Sequence, residues 1–133
     1  RSSMNYFGFL QGDTTAELVE DARQLAAQNY DVIYFKVGRG EALDLENTAA
    51  VRAAIGDRRL RLDANSAWDT RTAIYLINRL ACFNPEWIEQ PTPHRSLAAL
   101  KHVKESVSVP LAADQSVFTL WDVYDICRAG CWR

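Results

Sequence analysis

The chain has 133 residues, 48% of them hydrophobic and 24% charged, with a formal net charge of −2. That length suffices for one packed domain, and the near-neutral balance argues against nucleic acid or an anionic membrane as partner. No apolar run approaches the roughly 18 residues of a spanning helix, and nothing near the start reads as a signal peptide. Three cysteines (Cys82, Cys127, Cys131) without metal-type spacing read as reduced thiols, which predicts a cytoplasmic protein. Residues 1–3 read as a cut end, with a start at Met4.

Strands and helices alternate along the whole chain. Residues 6–10 form a short aromatic strand. Thr14 and Glu17 make a capping box that opens a helix to about residue 28, with Leu18, Ala22, Leu25 and Ala26 on one face. Residues 32–37 are the second strand, 44–55 a helix closed by Gly56-Asp57, and 60–62 the third strand. Asp69 caps a helix carrying Ala73, Ile74, Ile77, Leu80 and Ala81. The fourth strand is 87–88, followed by a helix over 96–104, a fifth strand over 109–113 and a last helix over 120–128.

Three acids end successive strands at near-equal intervals. Asp63, Glu89 and Asp114 stand 26 and 25 residues apart, and Lys36 lies 27 residues before Asp63. Each interval holds one strand, one helix and two loops, so the spacing predicts neighbouring strand ends. Converging carboxylates call for a cation, and Mg²⁺ suits hard oxygen donors in octahedral geometry, with Mn²⁺ as the alternative ion. Lys36 at the next strand end is a candidate general base, since burial and a nearby cation would favour its neutral form.

Alternating strands and helices imply a parallel sheet with right-handed crossovers. An open doubly wound sheet and a (β/α)₈ barrel both fit that pattern. The acids favour the barrel, where successive strand ends surround one centre. Side-chain parity agrees. With Lys36 and Asp63 facing the axis, Tyr34 and Arg61 face it too, while Ile33, Phe35, Val37, Leu60 and Leu62 face the helices. The predicted fold is therefore a partial TIM barrel of about five consecutive β/α units in a single domain over residues 1–133.

The motifs Phe35-Lys36-Val37-Gly38, Leu62-Asp63-Ala64-Asn65, Trp87-Ile88-Glu89-Gln90-Pro91 and Ala113-Asp114-Gln115-Ser116 occur in this order. Together they resemble the enolase superfamily, within it the mandelate racemase and muconate lactonizing enzyme group. The resemblance implies a C-terminal barrel domain, with the N-terminal capping domain and the last barrel strands absent. It implies Mg²⁺ ligands at Asp63, Glu89 and Asp114, a base at Lys36, and substrate-binding positions at Asn65 and Tyr34. The implied chemistry is removal of the α-proton of a small carboxylate substrate through an enediolate, in an isomerase or lyase: a racemase or epimerase, a cycloisomerase or a dehydratase. Three features depart from the family pattern. Tyr34 stands where Lys-x-Lys has its first Lys, Gln115 stands where an acid usually follows Asp114, and the opposite-face Lys of a sixth strand lies beyond residue 133.

Other residues have plainer readings. Tyr34 taken alone is an interior filler, and Arg61 an interior ion-pair partner of a neighbouring acid. Trp68 and Trp87 are packing residues, and His94 and His102 lie on the surface. Two functions of different class follow. One is the metal-dependent enzyme. The other is a truncated, inactive barrel that folds as an oligomer, since a whole barrel takes about 250 residues. Exposed parallel edges predict a homo-oligomer.

Overall fold

The computed structural model describes residues 6–131; the predicted cut end lies outside them. Five parallel strands form one sheet in the order β1-β2-β3-β4-β5. They are β1 (Phe7–Phe9), β2 (Val32–Lys36), β3 (Arg59–Asp63), β4 (Trp87–Glu89) and β5 (Leu111–Ala112). Between and after them come α1 (Thr15–Ala27), α2 (Glu41–Ile55), α3 (Thr70–Leu80), α4 (Leu97–Ser106) and α5 (Leu120–Ala129). Each strand neighbours its successor in the chain, which is the order of a barrel wall. A doubly wound sheet would reverse direction at a switch point. No helix among the described residues is long and apolar enough to cross a membrane.

Local chemistry sets the helix starts. The Thr14 hydroxyl accepts from the Glu17 amide while the Glu17 carboxylate accepts from the Thr14 amide, the predicted reciprocal cap of α1. Asp69 caps α3 through the Thr72 amide at 2.8 Å. Thr119 and Asp122 make a second capping box at α5, which the sequence reading left out. Helix α2 begins at Glu41, three residues before the predicted start. Its cap is Gly40, which has no side chain to offer. Asp44 instead lies in the first turn and folds back, accepting from the amides of Gly38 and Arg39 at 3.0 Å each.

The fifth strand is shorter than predicted because only Leu111 and Ala112 pair with β4. The end of α3 also differs. Ala81 leaves the helix for a tight turn over Ala81–Phe83, which Asn84 closes in the left-handed region.

Helix-facing residues form the core. Ile33, Leu60, Leu62, Ile77, Leu80 and Ile88 are fully buried between sheet and helices. Burying each such side chain contributes about 1.5–3 kcal/mol. The opposite parity faces the concave side. There Arg61 pairs with Glu86 at 2.6 Å and stacks over the Trp87 ring at 3.7 Å. That is the interior ion pair expected of it. Trp68 is buried in the core as expected, and His94 and His102 are exposed. Cys82, Cys127 and Cys131 are free thiols.

Candidate active site

The sheet register aligns the predicted site. Lys36 pairs with Asp63, and Asp63 with Glu89, so the three stand in one row across β2, β3 and β4. Neighbouring strands lie about 4.8 Å apart. Glu89 in turn pairs with Ala112, and Asp114 follows two residues later in the bend after β5. All four strand ends therefore meet at the carboxyl edge of the sheet, where barrel enzymes build their sites.

Asp63 is the most buried of the three candidate ligands, 3% exposed. Its Oδ1 accepts from the Asn65 backbone amide at 2.7 Å, and its Oδ2 faces the Asn65 side-chain amide at 3.4 Å. Asn65 adopts φ 48°, which brings both of its donors back onto Asp63. Beyond the strands the ladder continues, with Val37 N–H donating to Asp63 C=O at 2.8 Å and Ala64 N–H to Glu89 C=O at 3.0 Å.

Burial pushes the Glu89 carboxyl above its ordinary range, and the charge of Asp63, then that of Asp114, adds to the rise. Hydrogen bonding from Tyr34 partly offsets this. Burial, then the charges of Asp63 and Glu89, hold the Tyr34 phenol well above its ordinary range. Tyr34 thus stays a neutral phenol beside two acids. Its ring is packed by Phe7 and Phe9, with centroids 5.2 and 5.4 Å away. It fills the interior as the sequence predicts.

Lys36 is exposed at the end of β2 and makes no ion pair among the described residues. The burial expected from the sequence is not found at Lys36. Asp114 is exposed as well. Among the described residues, no three acid, His or Cys side chains form a ready-made cation cage. Three like charges repel when no cation joins them, and the rise at Glu89 comes first from burial and then from its acidic neighbours. The donor set still suits a hard divalent ion, being oxygen throughout and borne on three adjacent strand ends.

Sequence reasoning missed two elements of support. Asp44 holds the loop after Lys36, and Gln90 holds the loop after β5 (Asp114 N–H to Gln90 Oε1, 3.0 Å). Gly38 is needed at its place. It has φ 93°, and a Cβ there would lie 2.6 Å from the Ala67 side chain in the loop behind Asp63. A pocket opens elsewhere, around Arg52, Arg58 and Glu86. The Arg52 and Arg58 guanidiniums there donate to backbone carbonyls, so they brace the chain and do not await an anion.

The geometry defines a class, part of a (β/α) barrel with acids and a lysine at its carboxyl edge. Comparison with known proteins gives the family. The sequence profile described as enolase C-terminal domain-like matches residues 17–133. A hydrophobic dipeptide epimerase from Enterococcus faecalis (strain ATCC 700802 / V583) is 35% identical over 114 residues, 85% of this chain and 32% of that protein. A chloromuconate cycloisomerase from Delftia acidovorans is 32% identical over 119 residues, 88% of this chain and 32% of that protein. Among solved structures, the Enterococcus faecalis V583 dipeptide epimerase complexed with Mg and the dipeptide L-Leu-L-Tyr has a TM-score of 0.90 at 32% identity. The match covers 96% of this chain and 36% of that one. The chain belongs to the enolase C-terminal domain-like family, of the mandelate racemase and muconate lactonizing type. It spans about a third of the length of these relatives.

Proposed function

We propose that this chain carries the metal- and base-bearing part of a site that removes the α-proton of a small carboxylate substrate. The observation behind this reading is the single register row of Lys36, Asp63 and Glu89, with Asp114 beside it. Asp63, Glu89 and Asp114 would hold Mg²⁺. When bound, the ion supplies positive charge to the substrate carboxylate and to the negative charge that develops on it. Lys36 stands at the outer end of the row and would act as the base in its neutral form, which a cation bound beside it favours. Asn65 orients Asp63 through two donors. Tyr34 stands as a neutral phenol beside Asp63 and Glu89, placed to offer its one proton to either carboxylate. Epimerisation and dehydration begin with this proton transfer, cycloisomerisation ends with its reverse, and the similar proteins include epimerases and cycloisomerases.

The experiment is deuterium exchange at the α-carbon, followed by proton NMR of dipeptides and other small carboxylates in D₂O with Mg²⁺. Exchange in the parent chain should fall about 10²–10⁴-fold in Lys36→Met, the range for loss of a general base. Equal exchange in both would remove Lys36 from the chemistry.

The second reading is an inactive partial barrel. It draws support from the absence of a preformed cation cage among the described residues. On that reading Mg²⁺ produces no α-exchange with any carboxylate tried.

A further inference from the structure

Gln90 follows Glu89 at the end of β4 and is wholly buried, with 0% exposure. Its φ is 37°, in the left-handed region that residues with side chains seldom adopt. Pro91 behind it should push the backbone toward extended conformations, so the strain is compounded. Such a conformation persists only when its surroundings over-determine it. Here they do.

Every polar group of Gln90 has a partner. Its backbone N–H donates to Ala112 C=O at 2.8 Å, and its C=O accepts from the Ser66 N–H at 2.7 Å. Its Oε1 accepts from the amides of Asp114 and Ser116, both at 3.0 Å. Its Nε2 donates to Thr92 C=O and to Ser116 Oγ, both at 2.9 Å. The Ser116 hydroxyl passes its own proton to His94 C=O at 3.1 Å. One residue therefore ties the loop after β3, the end of β4 and the loop after β5 into one piece. A carboxamide with both lone pairs and both protons used has no freedom left to rotate.

The placement has a consequence for the acids. Strand β5 pairs over only two residues, so the sheet holds Asp114 weakly. Glu89 is bonded to Gln90 directly, and the Asp114 amide hangs from the Gln90 carboxamide. The spacing between these two carboxylates thus runs through one side chain.

We propose that Gln90 is the positioning residue that sets the separation of Glu89 and Asp114, and so the size of the cation the site accepts. This rests on the reading that the acids hold a divalent ion. Mg²⁺ demands near-ideal octahedral geometry, whereas Ca²⁺ accepts longer and more variable bonds. Loosening the clamp should therefore harm Mg²⁺ binding more than Ca²⁺ binding. Packing support alone would lower thermal stability and leave that ratio unchanged.

The test compares the parent chain, Gln90→Met and Glu89→Gln by calorimetric titration with Mg²⁺ and with Ca²⁺, well below the unfolding temperature. Gln90→Met keeps the volume and removes the polar contacts. It should raise the Mg²⁺ Kd about 10–100-fold, as loss of a residue that orients ligands does, and the Ca²⁺ Kd by less. Equal weakening for both ions, or none, overturns the proposal. If Gln90→Met fails to fold, hydrogen exchange in the parent chain decides. Slow exchange of the Asp114 and Ser116 amides supports the clamp, and free exchange overturns it. Glu89→Gln separates the two levels. If it binds Mg²⁺ as the parent does, the metal reading falls and this inference with it. If it loses Mg²⁺ while Gln90→Met keeps it, only the role of Gln90 falls.

Discussion

Glu89 stands between two other acids with part of its surface buried, and its raised pKa has a sign that can be tested. The folded state holds the Glu89 proton more tightly than the unfolded chain does. Stability of the metal-free chain should therefore fall as pH rises from about 4.3, the ordinary glutamate value, through the raised folded value. The penalty is complete once the pH exceeds that raised value. Glu89→Gln carries no such charge. It should melt at a higher temperature than the parent at pH 7 without metal, and the difference should close below about pH 4. Calorimetric melts across that range check it. A lower melting temperature for Glu89→Gln at pH 7 would mean that its neighbours stabilise the charged form. The residue scale also marks where local sequence reading stops. Thr14 with Glu17 was legible because a capping box is a local pattern. Gln90 was not, because its partners Asp114 and Ser116 lie 24 and 26 residues away, and no local pattern announces them. Asp44 resembled a helix start because Asp favours that place, and only the fold shows it reaching back to Gly38.

At the level of elements, β2 and β3 divide their labour by parity. Phe35 and Leu62 face the helices and are almost wholly buried, while Lys36 on the other face is exposed. This was readable in advance, since period-2 alternation fixes which residues share a face. The length of β5 was not readable, since it depends on how far β4 runs beside it. The division predicts opposite outcomes from neighbouring substitutions. Leu62→Ala should cost about 2–5 kcal/mol of stability, as buried Leu truncations do. Lys36→Ala should change stability by no more than about 0.5 kcal/mol, as exposed substitutions do. Denaturant midpoints for the two variants are the measurement. Comparable losses from both would mean that the concave face is packed in solution, with Lys36 buried.

Across the whole molecule, the described residues leave β1 and β5 paired on one side each. They also leave large apolar side chains in water. Phe7 is 50% exposed on the inner face of β1, and Leu120 and Trp121 on α5 are 87% and 77% exposed. Open edges and apolar patches of this kind favour association. Sedimentation velocity at micromolar concentration should show a concentration-dependent oligomer of the chain, weakened by the double substitution Leu120→Lys with Trp121→Lys. A monomer at every concentration would contradict this. The barrel order of the sheet was legible because four strand-end residues at intervals near 26 fit one strand–helix unit each. What the spacing could not give was the posture of the acids. Adjacency of strands brings Asp63 and Glu89 into one row, but closing the side chains on an ion needs the ion's charge.

The most direct test is therefore to locate a bound ion. Mn²⁺ can replace Mg²⁺ at oxygen sites, and as a paramagnetic ion it broadens the NMR signals of nearby nuclei. In a ¹⁵N-labelled chain, substoichiometric Mn²⁺ should first broaden the amides of Asp63, Asn65, Glu89 and Asp114. Excess Mg²⁺ should restore them, and Glu89→Gln should show no such selectivity. Uniform broadening, or broadening centred on the surface acids Glu17, Glu20 and Asp21 of α1, would contradict the account.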